Sequence, residues 1–154
     1  MTRPPRRQVE PVPGEPAATV ALGNEQALLV ADYHAGIEDG LRYERGVELQ
    51  SNAEGRRTRL LSLLSKSEAD RLVVLGDIGH QIGGTDGVER EELDALYDAV
   101  VTEHGVELTV APGNHDGDIG SLLGDREGVT ILPAAGGIIG EPPTTLGVVH
   151  GHTW

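Results

Sequence analysis

ELTVAPGNHD, residues 107–116, sets a mostly apolar run directly before four polar, turn-capable residues. Residues 107–111 read as a buried strand, and residues 112–118 as the loop that leaves it. That loop carries Gly113, Asn114, His115 and Asp116 in succession. An Asx-type turn without chemistry would use the same residue types. Asn, His and Asp together also supply a neutral oxygen ligand, a titratable imidazole and a carboxylate able to orient it. An imidazole of near-neutral pKa can protonate a leaving alkoxide, and a carboxylate partner fixes its tautomer.

The same arrangement recurs along the chain. Residues 72–75 (LVVL) form a continuous apolar strand of the kind buried on both faces, followed by Gly76, Asp77, Ile78, Gly79 and His80. A carboxylate straight after four buried residues costs several kcal/mol to desolvate unless something compensates. Capping of the next segment is the plain reading of Asp77. Residues 27–30 precede Asp32, Tyr33 and His34. An i, i+2 spacing on extended chain puts Asp32 and His34 on one face, about 7 Å apart. Residues 146–149 precede His150, Gly151 and His152, which have the same spacing.

Between these strands the periodicity turns helical. From about Ser51, with Ser51 or Asn52 as cap, Leu60, Leu61, Leu63 and Leu64 form an apolar face. Residues 89–104 predict a second helix with acids in its first turn and Leu93, Leu96, Tyr97, Val100 and Val101 on one side. Residues 18–22 and 27–30 flank Gly23-Asn24 and read as a β-hairpin. Residues 118–123 predict a helical turn and residues 129–132 another strand. Alternating strands and helices imply a layered α/β (α+β) fold, in which sites collect beyond the carboxyl ends of strands.

Five of the six histidines fall in these four segments, while His104 sits at a helix C-terminus where the dipole favours it. Positions 34, 77, 114 and 150 lie 43, 37 and 36 residues apart, each interval long enough for one strand-helix-strand or comparable unit. Successive strands would deliver their ligands to one rim. Mn²⁺, Zn²⁺, Fe or Ni²⁺ suit such a mixture of oxygen and nitrogen donors. Two such ions about 3.5–4 Å apart can clamp a phosphoryl group and generate hydroxide for in-line attack.

Asp-x-His, Gly-Asp-x-x-His, Gly-Asn-His-Asp and an apolar strand ending in His-Gly, in that order, resemble the motif set of the calcineurin-like metallophosphoesterases. The match covers about residues 27–152. LLVADYHAGIEDGLRYERGV together with HGHTW is similar, more narrowly, to predicted archaeal phosphoesterases related to the bacterial DNA-ligase-associated enzymes. The resemblance implies a metallophosphoesterase-type two-sheet β sandwich flanked by helices, and a metal-dependent phosphodiesterase, nuclease or phosphatase. It implies two divalent metal ions, Mn²⁺ foremost. Asp32 and His34 would bind the first metal, Asp77 would bridge both, and Asn114 and His150 would bind the second. His115 would act as acid or transition-state stabiliser, held by Asp116, with His80 and His152 near the site. The family continues to a further Gly-His-x-His motif, whereas this chain ends at Trp154. Unless Gly151-His152-Thr153-Trp154 is itself that motif, with Trp in the last place, the expectation is a C-terminally truncated domain over residues 17–154, short of ligands and with a sheet edge exposed.

Composition narrows the alternatives. No cysteine among the 154 residues excludes disulfides, thiolate metal sites and cysteine nucleophiles. No apolar run approaches the roughly 20 residues of a membrane helix, and the start MTRPPRRQVEPVPGEP has no secretory signal, so a cytoplasmic protein without membrane contact is expected. The net charge is −13, with Lys66 as sole lysine. A solvated acidic surface and adaptation to high salt both account for it. An acidic body is a poor generic binder of nucleic acid, whose affinity comes largely from phosphate neutralisation. The phosphoester substrate, a nucleotide or nucleic acid included, would then be gripped through metal. Residues 1–16, with Arg3, Arg6 and Arg7 among prolines, read as a disordered arm. Two rivals remain: a catalytically incomplete remnant that binds metal or a partner, and a nucleic-acid-binding module using this arm.

Overall fold

A computed structural model describes residues 8–31, 33, 52–78, 87–113, 119–142 and 144–149. Its main sheet has six strands: β1 (Val9–Pro11), β2 (Ala17–Leu22), β3 (Glu25–Val30), β4 (Arg71–Leu75), β5 (Glu107–Ala111) and β6 (Val129–Ile131). They lie in sequence order, β1-β2-β3-β4-β5-β6. β1, β2 and β3 pair antiparallel, and β3 through β6 pair parallel. Among the described residues, three helices link the parallel strands: α1 (Ala53–Ser67), α2 (Gly87–Tyr97) and α3 (Ile119–Leu123). A second sheet is the hairpin β7 (Gly137–Glu141) and β8 (Thr144–Val148).

The period-2 alternation of the parallel strands creates two apolar layers. Leu28, Leu72, Val74, Leu108 and Val110 face one way, where Leu60, Leu63 and Leu64 of α1, Leu93 and Leu96 of α2, and Ile119 and Leu123 of α3 cover them. Ala27, Leu29, Val73 and Ala111 face the other way and meet Ile139 of β7 and Val148 of β8. Leu72, Val73 and Val74 are therefore buried on alternate faces without a break, as their uninterrupted apolar run predicts. The result is helix layer, main sheet, second sheet.

The β2–β3 hairpin closes on two residues, since Leu22 pairs with Glu25. Gly23 has φ 66° whereas Asn24 has no positive φ, the pattern of a type II′ turn with glycine at its first central position. The expected helix over 89–104 divides. α2 gives way at Asp98 to a π-helical turn through Glu103. The His104 amide donates back to the Ala99 carbonyl at 3.2 Å, and its Nδ1–H donates to the same oxygen at 2.9 Å.

Two expectations need correction. Residues 1–16 are not irregular throughout, because Val9–Pro11 pairs with Ala18–Val20 of β2. Proline is tolerated there because β1 is an edge strand, paired on one side only. The sequence reading also missed β7, whose Gly137 and Gly140 resemble turn residues more than strand residues. Gly140, with φ 83°, lies so close to the Thr144 carbonyl oxygen that a Cβ would sit 2.4 Å from it. Its lack of a side chain admits β8.

Candidate metal centre

Register brings three of the predicted loops off one edge. Val30 pairs with Val74, Val74 with Val110, and Leu75 with Ala111, so β3, β4 and β5 finish side by side at their carboxyl ends. The chain leaves β3 toward Asp32, β4 through Gly76 into Asp77, and β5 through Pro112 and Gly113 toward Asn114. Adjacent strands are about 4.8 Å apart, so the three departure points span roughly 10 Å.

Asp77 is the one predicted ligand among the described residues. It is 6% exposed. Its φ is 49°, after a Gly76 φ of 79°. The left-handed region costs a residue with a Cβ about 1–2 kcal/mol, although aspartate tolerates it better than most. Two positive φ values in succession turn the chain sharply out of β4. Ile78, fully buried in the helix-side layer, pins the far side of that turn. A buried carboxylate in a disfavoured backbone conformation at a strand end is a pattern associated with functional sites. Asp32, His34, His80, Asn114, His115, Asp116, His150 and His152 lie outside the described residues. Among the described residues, no three His, Asp or Glu side chains gather as a metal site would require.

Tyr33, between Asp32 and His34 in sequence, is 8% exposed and belongs to the helix-side layer. Its hydroxyl is buried beside the Arg56 guanidinium, with no hydrogen bond of full geometry among the described residues. Burial lifts the phenol well above its ordinary pKa, and the Glu92 carboxylate adds to the rise while Arg56 and Arg57 oppose it. The Arg56 guanidinium lies over the ring, 5.8 Å from its centroid. Arg56 also donates from Nε (2.9 Å) and Nη2 (2.7 Å) to Oε1 of Glu92. The Glu92 side chain is 3% exposed and that of Arg56 19%. Sequence reasoning missed this pair, though a signal was present. Arg56 precedes Leu60 by four residues, and Glu92 precedes Leu96 by four. Each charge thus sits on a stripe otherwise apolar.

The amino edge of the same strands is built differently. Arg71 of β4 donates to Glu25 Oε1 (2.6 Å), Glu107 Oε2 (2.6 Å) and Thr109 Oγ1 (2.7 Å), tying β3, β4 and β5 together. A groove of about 610 Å³ opens here between the two sheets, lined by Glu25, Arg71, Thr109, Ile139 and Thr144 among others. Asp77 is not among its lining residues.

No helix among the described residues is long and apolar enough to cross a membrane. No family model matches the sequence, and no curated protein matches it. Solved structures do. The crystal structure of the nuclease MPE from Pseudomonas putida aligns with TM-score 0.53 at 20% identity, over 87% of this chain and 63% of that one. YfcE, a phosphoesterase from E. coli, aligns with TM-score 0.48 at 21% identity, over 82% and 57%. The chain thus spans less than two-thirds of the length of either protein. The layered α/β architecture traced above, with its mixed main sheet and one-sided helices, is therefore the fold it shares with the Pseudomonas nuclease.

Proposed function

We propose that this chain forms the metal-binding core of a phosphoester hydrolase, of the phosphodiesterase or nuclease kind. One observation carries the proposal: three parallel strands end in register, and each runs into a segment of ligand-type residues, with a buried carboxylate at the central strand. The chemistry of the donors fits hard or borderline divalent ions, with Mn²⁺ the first choice and Zn²⁺, Fe or Ni²⁺ suited to the same mixture. When bound, a pair of such ions supplies charge neutralisation at phosphorus and activation of the attacking water.

The protein's own contribution follows from where its residues stand in the motifs. Asp32 and His34 would hold the first ion and Asn114 and His150 the second, with Asp77 of the central strand a ligand that would serve both. His115 donates a proton to the departing alkoxide oxygen, and Asp116 holds its imidazole in the required tautomer. With a net charge of −13, the protein repels a polyanion, so phosphate recognition falls to the metals. The narrower likeness of LLVADYHAGIEDGLRYERGV to the archaeal phosphoesterases favours a nucleotide or nucleic acid as substrate.

Isothermal titration with Mn²⁺, joined to an assay of phosphodiester hydrolysis with and without EDTA, tests the reading. Two binding sites and EDTA-sensitive turnover are expected. One site or none, with no turnover, would favour a metal- or partner-binding remnant. Oligonucleotide affinity that survives EDTA and falls when residues 1–16 are removed would favour the nucleic-acid-binding module.

A further inference from the structure

We infer that Arg56 and Glu92 are positioning residues for the metal centre, acting through Tyr33; the inference rests on the metal-binding reading above. Tyr33 is the middle residue of Asp32-Tyr33-His34, so whatever fixes its backbone fixes the point from which both flanking side chains depart. Its ring is held from two sides. The helix-side layer packs around it, and the Arg56 guanidinium covers it. Arg56 cannot shift freely, because two of its nitrogens grip one oxygen of an almost fully buried Glu92. Glu92 belongs to α2 and Arg56 to α1, so the two helices and the loop after β3 meet at one junction.

A charge pair is an expensive way to fill this space. Replacing a buried ion pair by apolar residues of similar volume is often neutral or stabilising. Its advantage is directional: two fixed hydrogen bonds and a cation above a ring define one arrangement where aliphatic packing tolerates several. Such rigidity is useful where ligand geometry must be held, and groups that orient ligands without touching metal typically affect its affinity 10–100-fold. Leu64 of α1 already fills the same layer by packing alone.

The test uses the intact chain and Mn²⁺. Affinity is measured by isothermal titration for the wild type, Arg56→Met, Arg56→Lys, Glu92→Gln and Tyr33→Leu, and circular dichroism reports the folded fraction of each. Arg59→Met serves as control, since Arg59 lies on the same helix but pairs with Glu15 at the surface. A loss of about 10-fold or more is expected for Arg56→Met, Glu92→Gln and Tyr33→Leu while folded. Arg56→Lys, which keeps a cation above the ring, should fall between Arg56→Met and wild type, and Arg59→Met should match wild type. Wild-type affinity, within twofold, in any folded member of the first three overturns the inference and leaves the metal reading standing. A failure of all three to fold assigns the junction to the core and also overturns it. A wild-type protein that takes up no Mn²⁺ removes the metal reading itself.

Discussion

The two ends of β3, β4 and β5 make an instructive pair. At the amino edge, Arg71 satisfies Glu25, Glu107 and Thr109 at once, and charges of opposite sign close on each other within three strands. At the carboxyl edge, Asp77 is buried in left-handed backbone, and the loops on either side carry the Asp-x-His and Gly-Asn-His-Asp strings. Both edges belong to the same in-register sheet, so strand geometry cannot explain the difference. Charge sign can. The amino edge holds its own cation in Arg71, whereas the sequence that follows the carboxyl ends is rich in acids, an amide and imidazoles. One edge closes its charges within three strands, and the other carries the buried Asp77 in left-handed backbone.

The contrast breaks most visibly at Asp77. Asp77→Asn should lower Mn²⁺ affinity by more than about 100-fold, beyond the usual range for groups that only orient ligands. Asparagine also tolerates positive φ, so circular dichroism should show the variant folded. Unchanged titration of Mn²⁺ into this variant would remove Asp77 from the site. Arg71→Ala should do the reverse. It strands a buried Thr109 hydroxyl and two partly exposed carboxylates, so urea denaturation should report a loss of about 2 kcal/mol. Mn²⁺ affinity should not move, and a parallel fall in both quantities would mean that the edges are not independent.

Tyr33 sharpens the comparison through pH. Its phenol is held protonated in the folded protein, so above the unfolded value of about 10 the unfolded chain loses its proton first. The stability this provides is intact below about pH 10 and falls by up to about 1.4 kcal/mol per pH unit above it. Wild type should therefore lose more stability than Tyr33→Phe between pH 9 and pH 11, as read from urea midpoints. Parallel curves would show that the hydroxyl is not held in the buried environment described.

What the sequence made legible follows burial. β2, β3, β4 and β5 were readable because each is an apolar run, two of them joined by Gly23-Asn24 and two buried on both faces. α1 and α2 were readable from leucines at helical spacing, and their leucines do cover the sheet. β1 was hidden because prolines suit an edge as well as a disordered arm, and β7 because two of its five residues are glycine. Asp77 announced itself by following four apolar residues and Gly76. The Arg56–Glu92 pair did not, since 36 positions separate its members and only the meeting of two helices brings them together. Local pattern carries strands and the loops after them, but not a partner across a helix interface.

The strictly sequential order of the main sheet has a consequence for assembly. Each strand from β2 to β6 pairs with the one just made, so synthesis from the N-terminus can add strands one at a time with no gap left to fill. Contacts between successive elements keep loop-closure costs low and favour rapid folding. The carboxyl edge, however, gains its third strand end only when β5 docks, after Ala111 has been made. On the proposed metal-binding reading, a cation shared by the segments after these strands would reward the finished sheet instead of guiding its construction.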